Sequence, residues 1–212
     1  MYQNLIFDWS GTLVDDLGPT LEATNAVFSL HGRATMDRDE FRRLFRLPYS
    51  EFYEEHLPGI RLEELEHHFR RAFAESQVPV TVLPHAREKL EWCRERDIRC
   101  FVLTSMDRGT FEKQLDDLDM RVYFEATYSG VIDKREVIGD ILSNHQLHAP
   151  ATAFLGDMIH DVVTAKHGGV SSVALLTGYT HREVLEAHEP DWLMADLLEF
   201  RTMMEQHLSK LP

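Results

Sequence analysis

Cysteine is scarce: the 212 residues contain two, Cys93 and Cys100. They fall in segments that read as a helix face and a strand start; nothing demands a disulfide between them, though one stays open, and reduced core thiols and a cytoplasmic compartment are expected. No signal-peptide pattern precedes the first apolar segment, which opens at Leu5. Long apolar runs are missing as well. The longest have strand length, so a membrane-spanning helix is not expected. Positive charge is in short supply, with 22 Lys and Arg against 36 Asp and Glu and a net charge of −14. That balance argues against nonspecific binding to nucleic acid or to anionic membranes, although a local cation can still hold a small anion. His67, His68 and His181 lack metal-ligand spacing, so no zinc site is expected. Internal repeats and low-complexity tracts are absent.

What remains is an ordinary soluble composition, 43% apolar and 27% charged, long enough for one sizeable core or a core with an insert. Short apolar runs read as strands at Leu5 to Asp8, Arg99 to Thr104, Ala126 to Tyr128, Ala153 to Leu155, Val173 to Leu176 and Trp192 to Met194. Most lack clean alternation, as strands buried on both faces of a parallel sheet do. Helical patterns lie between them: Ala86, Leu90 and Cys93; Val137, Ile141 and Leu142; Val162, Val163 and Ala165. The expected fold is α/β, a doubly wound, mainly parallel, Rossmann-like sheet.

From Leu17 to about Val80 the rhythm changes, and no convincing strand occurs. Asp37 and Glu40 mark a helix start, followed by Phe41, Leu44 and Phe45. Leu62, Leu65, Phe69 and Phe73 form a helical stripe, read as packing rather than as a binding groove. The expected organisation is therefore a core of residues 1–16 and 80–212, with an all-helical insert, 17–79, between its first and second core strands. The expected hinges are Asp15 to Pro19 and Gln77 to Val80.

The chemistry gathers where strands end. The run Leu5-Ile6-Phe7-Asp8 stops on an acid and turns at once through Gly11, which places Asp8 at the open end of a sheet as a nucleophile or metal ligand. Thr104 and Ser105 end the next core strand in hydroxyls that donate to a phosphate oxygen or cap the following helix, as Asp107 also can. Lys134, just before a helix, offers an ammonium for a transferring phosphoryl group or is a solvated surface lysine. Gly156-Asp157 through Asp161 ends another strand with two acids four residues apart. Such acids face one point and suit Mg²⁺; the alternative is a helix cap at Asp157 with an exposed Asp161.

In this order, Asp8 to Asp15, Thr104, Lys134 and Asp157 to Asp161 resemble the four motifs of the haloacid dehalogenase superfamily. The likeness covers nearly the whole chain. Leu176 to Tyr179 and Asp191 to Leu197 are similar to the end of the phosphoglycolate-phosphatase-like branch, and the helical insert matches its small cap. The resemblance implies a phosphatase of small phosphorylated metabolites. Asp8 is then the nucleophile, and Asp8, the Ser10 carbonyl and Asp157 hold Mg²⁺ with support from Asp161. Thr104 and Lys134 bind the phosphate, helped by Ser105. A cap arginine, Arg46 rather than Arg42 or Arg43, is expected on a substrate carboxylate or second phosphate; the alternative is that the three form a solvated helix face balancing Glu51, Glu54 and Glu55.

Ser10 departs from the pattern, because the family's phosphatases usually carry there an Asp that protonates the leaving group. Dehalogenases also lack that acid but use no metal, whereas Asp157 and Asp161 are retained here. Phosphonoacetaldehyde hydrolases have a small residue there but need a cap lysine, and no lysine precedes Lys89. The large extra domains of ion-pumping ATPases are absent. Three accounts stay open: a phosphatase favouring good leaving groups, one in which another group such as His160 or a cap residue does the proton work, and a weak or inactive relative that binds a phosphorylated ligand. Arg135 in place of the usual Pro is a second departure.

Overall fold

A computed structural model describes residues 2–208; the ends of the expected core, 1 and 212, lie outside them. After β1 (Asn4–Phe7) comes β2 (Val14–Asp15), then four helices in succession: α1 (Leu17–Leu30), α2 (Arg38–Leu44), α3 (Tyr49–His56) and α4 (Leu62–Glu75). Strand and helix then alternate through β3 (Thr81–Val82), α5 (Ala86–Arg94), β4 (Arg99–Leu103), α6 (Arg108–Asp117), β5 (Ala126–Tyr128), α7 (Arg135–Asn144) and β6 (Thr152–Gly156). The series ends with α8 (Ile159–Gly168), β7 (Ser171–Leu175), α9 (Arg182–Glu186), β8 (Trp192–Met194) and α10 (Leu197–Leu208).

Six strands form one parallel sheet in the order β5-β4-β1-β6-β7-β8. Their side chains alternate between two apolar layers, because successive Cβ atoms point to opposite faces. Leu5, Phe7, Cys100, Val102 and Leu155 meet α5, α6 and α10 on one face. Ile6, Phe101, Leu103 and Phe154 meet α7 and α8 on the other. Both faces being covered explains the nearly continuous apolar strands. β1 is central, flanked by β4 and β6, so the winding direction reverses beside it. In such sheets the crevice at that reversal lies beyond the carboxyl ends of the strands.

The helices α1 to α4 pack around their own cluster, including Val27, Phe28, Phe41, Phe52 and Leu65, which Met158 and Tyr179 join from the sheet side. Asp37 caps α2 by accepting from the Glu40 N–H at 2.8 Å. Within the first expected hinge, Leu17, Gly18 and Pro19 form the first turn of α1, where a proline is tolerated because its missing N–H has no helical partner. The connection also contains a small antiparallel pair that short-range periodicity did not reveal: β2 pairs with β3, Val14 opposite Val82 and Asp15 opposite Thr81. Among the described residues no helix is long and apolar enough to cross a membrane. Cys93 and Cys100 are buried free thiols.

Candidate active site

Three adjacent strands deliver the chemistry to one edge: Asp8 follows β1, Thr104 follows β4 and Asp157 follows β6. Alternation past β1 separates the side chains. Trp9 turns into the core, edge-on to Phe111 with its Nε1 donating to Gln114 at 2.7 Å, while Asp8 and Ser10 line a cavity. Gly11 then takes φ +71°, a left-handed turn, and a Cβ there would lie 2.5 Å from Asp157 Oδ2. Gly156 and Gly178 are equally constrained, since a Cβ on either would overlap Asp161 or Asp157 respectively.

Carboxylate oxygens of Asp8, Asp157 and Asp161 all lie within 4.8 Å of one another, and all three residues are buried. Lys134, with no exposed surface, sits 2.7 Å from Asp8 Oδ1 and 2.7 Å from Asp161 Oδ1. The lysine is thus not on the surface. Asp161 Oδ2 also accepts from the Met158 N–H at 3.0 Å, so this acid both caps α8 and holds the ammonium. Asp157 accepts from Thr12 Oγ1 at 3.1 Å and from the Tyr179 N–H at 2.7 Å.

Burial pushes the Asp8 carboxyl up to about 7, with Lys134 opposing and Asp161 adding to the rise. Burial and the Asp8 charge raise Asp157 well above the usual carboxylate range. Burial works against the Lys134 charge, but Asp161 and Asp8 outweigh it and keep the ammonium protonated. Three carboxylates beside a single ammonium leave negative charge in excess, and hard oxygens crowded this closely suit a divalent cation such as Mg²⁺. The donor set therefore fits the metal expected from the sequence.

The cavity above this cluster measures about 360 Å³. Its floor includes Asp8, Ser10, Asp16, Thr104 and Ser105. Ser105 Oγ is buried without a hydrogen-bond partner among the described residues, and Thr104 Oγ1 accepts from the Met106 N–H at 3.2 Å. Asp107, not Ser105, caps α6 by accepting from the Thr110 N–H, which leaves the serine hydroxyl uncommitted.

Asp16 was missed from the sequence, where it read as part of a hinge. It is buried, and Ser10 Oγ donates to its Oδ2 at 2.6 Å while Tyr179 OH donates to its Oδ1 at 2.8 Å. Burial lifts its carboxyl to about 6, with those two hydrogen bonds opposing. The doublet Asp15-Asp16 before a helix was the available signal.

Other expectations are displaced. Arg46 does not line the cavity; its guanidinium pairs with Glu55 on an exposed face. The reason is local: α3 brings Glu55 within reach, and a surface pairing needs no desolvation. Arg43 pairs with Asp39, and Arg42 bonds the Tyr179 and Thr180 carbonyls, tying α2 to the sheet side. The arginine that does line the cavity is Arg70 on α4. The stripe read as packing is divided: Leu65 is buried in the helical cluster, Phe69 packs against that cluster and also lines the cavity, and Phe73 lines the cavity. His160 lies outside the lining, with Nε2 accepting from the Lys134 N–H at 3.0 Å, and burial, then Lys134, lowers its pKa. It orients the Lys134 backbone and is not placed to move a substrate proton. The Arg135 N–H bonds Asp133 Oδ1 at 3.0 Å, and the turn before α7 forms without proline. No lysine lines the cavity among the described residues, so the Schiff-base alternative has no amine there to rest on.

Known proteins are similar to this chain to different degrees. A phosphoglycolate phosphatase of Synechococcus elongatus is 26% identical over 95% of this chain and 98% of its own. A 5'-nucleotidase of Pseudomonas aeruginosa is 27% identical over 97% of each. The solved haloacid dehalogenase-like hydrolase from Streptococcus pneumoniae shares the fold, with a TM-score of 0.85 at 22% identity over 96% of this chain and 98% of its own. The family model described as haloacid dehalogenase-like hydrolase matches residues 5–175, from the strand that carries Asp8 past the helix that carries Asp161. On that match the chain belongs to the haloacid dehalogenase-like hydrolases.

Proposed function

We propose that this protein is a Mg²⁺-dependent phosphatase that hydrolyses a small phosphorylated metabolite through an aspartyl-phosphate at Asp8. We take residues 17–79 as its cap, residues 1–16 and 80–212 as its core, and the cytoplasm as its compartment. The observation that carries the reading is Asp8 itself: a buried carboxylate that opens onto a cavity and is held at Oδ1 by Lys134. Phosphatase names among full-length relatives support the reaction class.

Asp8 attacks phosphorus in line with the ester oxygen, the bond from phosphorus to that oxygen breaks, and water later cleaves the aspartyl-phosphate to free phosphate and Asp8. Lys134 fixes the attacking carboxylate from beneath the cavity floor, and Thr104 and Ser105 bind the phosphoryl oxygens. Asp8, Asp157 and the Ser10 carbonyl would hold Mg²⁺ with Asp161 in support; when bound it neutralises charge on the phosphoryl oxygens. Ser10 Oγ donates its one hydrogen bond to Asp16 Oδ2 and is not free to protonate a leaving oxygen. Leaving groups that depart unprotonated, such as the carboxylate of an acyl phosphate, are therefore favoured.

The test is Mg²⁺-dependent release of phosphate from acetyl phosphate, p-nitrophenyl phosphate and ethyl phosphate, with Asp8→Asn as control. Acetyl phosphate should exceed ethyl phosphate by about 10²–10⁴-fold in kcat beyond their intrinsic difference. Equal enhancement of both would mean another group supplies the proton. No turnover of any of the three, with Mg²⁺-dependent ligand binding retained, would replace the reading with a phosphoryl-ligand binding protein.

A further inference from the structure

We infer that the cavity selects a phosphorylated compound whose other part is bulky, apolar and free of a second negative charge; this rests on the reading of Asp8, Thr104 and Ser105 as the phosphate end. Beyond that floor the lining changes character. Phe45, Leu47, Phe69, Phe73, Met106 and Ile132 border the same space. None is fully buried, and Ile132 keeps 38% of its surface exposed. Large apolar side chains left partly open around a cavity gain free energy when an apolar group covers them. A volume of about 360 Å³ is ample for a ring or branched chain beside a phosphate.

The charges of the lining point the same way. Among the described lining residues Arg70 is the only arginine or lysine. Its Nη1 lies 3.5 Å from Glu66 Oε2 and 3.5 Å from Asp107 Oδ1, and both acids line the cavity with it. Glu66 also accepts from Tyr49 OH at 2.6 Å, which fixes it in place. Two carboxylates thus flank one guanidinium at Nη1, and the described lining holds no second arginine or lysine for a substrate carboxylate. A compound with the charge of phosphoglycolate would bring a second anion into a lining that is already net negative, at a cost in a part-buried site. Among the other arginines of the helical segment, Arg71 pairs with Glu75, and Arg42, Arg43 and Arg46 are engaged elsewhere.

The experiment is calorimetric titration of the Mg²⁺-loaded protein with three phosphonates that contain no ester bond to hydrolyse: ethylphosphonate, 2-phenylethylphosphonate and phosphonoacetate. The phenyl compound should bind about 10- to 100-fold more tightly than the ethyl compound, and phosphonoacetate no more tightly than ethylphosphonate. Phe69→Ala should shrink the phenyl preference by about 5-fold or more, with circular dichroism confirming the fold. Glu66→Gln, which frees one side of Arg70, should improve phosphonoacetate relative to ethylphosphonate. Equal binding of the phenyl and ethyl compounds, tightest binding of phosphonoacetate, or no binding of any of them overturns the inference. Turnover is read separately, with acetyl and benzoyl phosphate. The phosphonate ranking without turnover overturns the phosphatase reading alone, and turnover lost in Asp8→Asn without the ranking overturns the cavity inference alone.

Discussion

Lys89 and Lys134 have no exposed surface, yet their surroundings differ in almost every other respect. Lys134, at the catalytic edge, has a carboxylate on each side at 2.7 Å and is held protonated. Lys89, between α5 and α10, has its ammonium over the rings of Trp92 and Phe200 at 4.3 and 4.6 Å and 3.1 Å from Met204 Sδ. Burial drives its pKa down to about 8, only partly offset by the thiols of Cys93 and Cys100. A buried cation destabilises unless anions are fixed around it, and the fold meets that condition at the edge where Asp8 and Asp161 stand. The difference separates a lysine held between two carboxylates from one enclosed by rings and a thioether.

Removing the anion that Lys134 serves should have the largest effect. Asp8→Asn should lower phosphate release by about 10⁴-fold or more, measured on acetyl phosphate with Mg²⁺. Next, Lys134→Met should reduce kcat/KM by about 10³-fold. It also leaves Asp8 and Asp161 without their cation, at about 3 kcal/mol of stability by urea denaturation. Lys89→Met should do the reverse and stabilise the protein while turnover holds. Because the folded pKa is about 8 against an ordinary 10.5, the unfolded chain binds the proton more readily between those values, so wild-type stability rises with pH across that window. The variant's advantage should therefore be about 3 kcal/mol below pH 8, shrink above it and vanish beyond about pH 10.5. An equal gain at pH 7 and pH 10.5 would show that packing, not charge, sets the effect. The smallest change is expected from Arg46→Ala, which should leave kcat/KM on acetyl phosphate unaltered because the residue faces Glu55 and not the cavity.

The sheet was legible in the sequence because its strands are short, apolar and bounded: the segment read from Arg99 forms β4, and that from Trp192 forms β8. The motif spacing likewise pointed to the cluster, since Asp8, Thr104 and Asp157 each follow a strand and the order of those strands brings them together. The helical segment was harder to read. Periodicity reports that Leu65, Phe69 and Phe73 share a face, but not that the face passes from a packed core at Leu65 to a cavity wall at Phe69. Likewise, an arginine's partner depends on which helix crosses which, and nothing local in Arg46 or Arg70 reveals it. β2 and β3 span two residues each, too few for an alternation to be seen, and Asp16 takes its role from Ser10 and Tyr179, the latter far away in sequence.

The antiparallel pairing of β2 with β3 sets Asp15 directly across from Thr81, so the chain departs and returns at neighbouring points. The helices between those points add no strand to the six-stranded sheet, while Asp16 at their start stays bonded to Ser10 and Tyr179. An engineer seeking a new ligand preference would rewrite α2 to α4 and leave the phosphate-handling machinery as it stands.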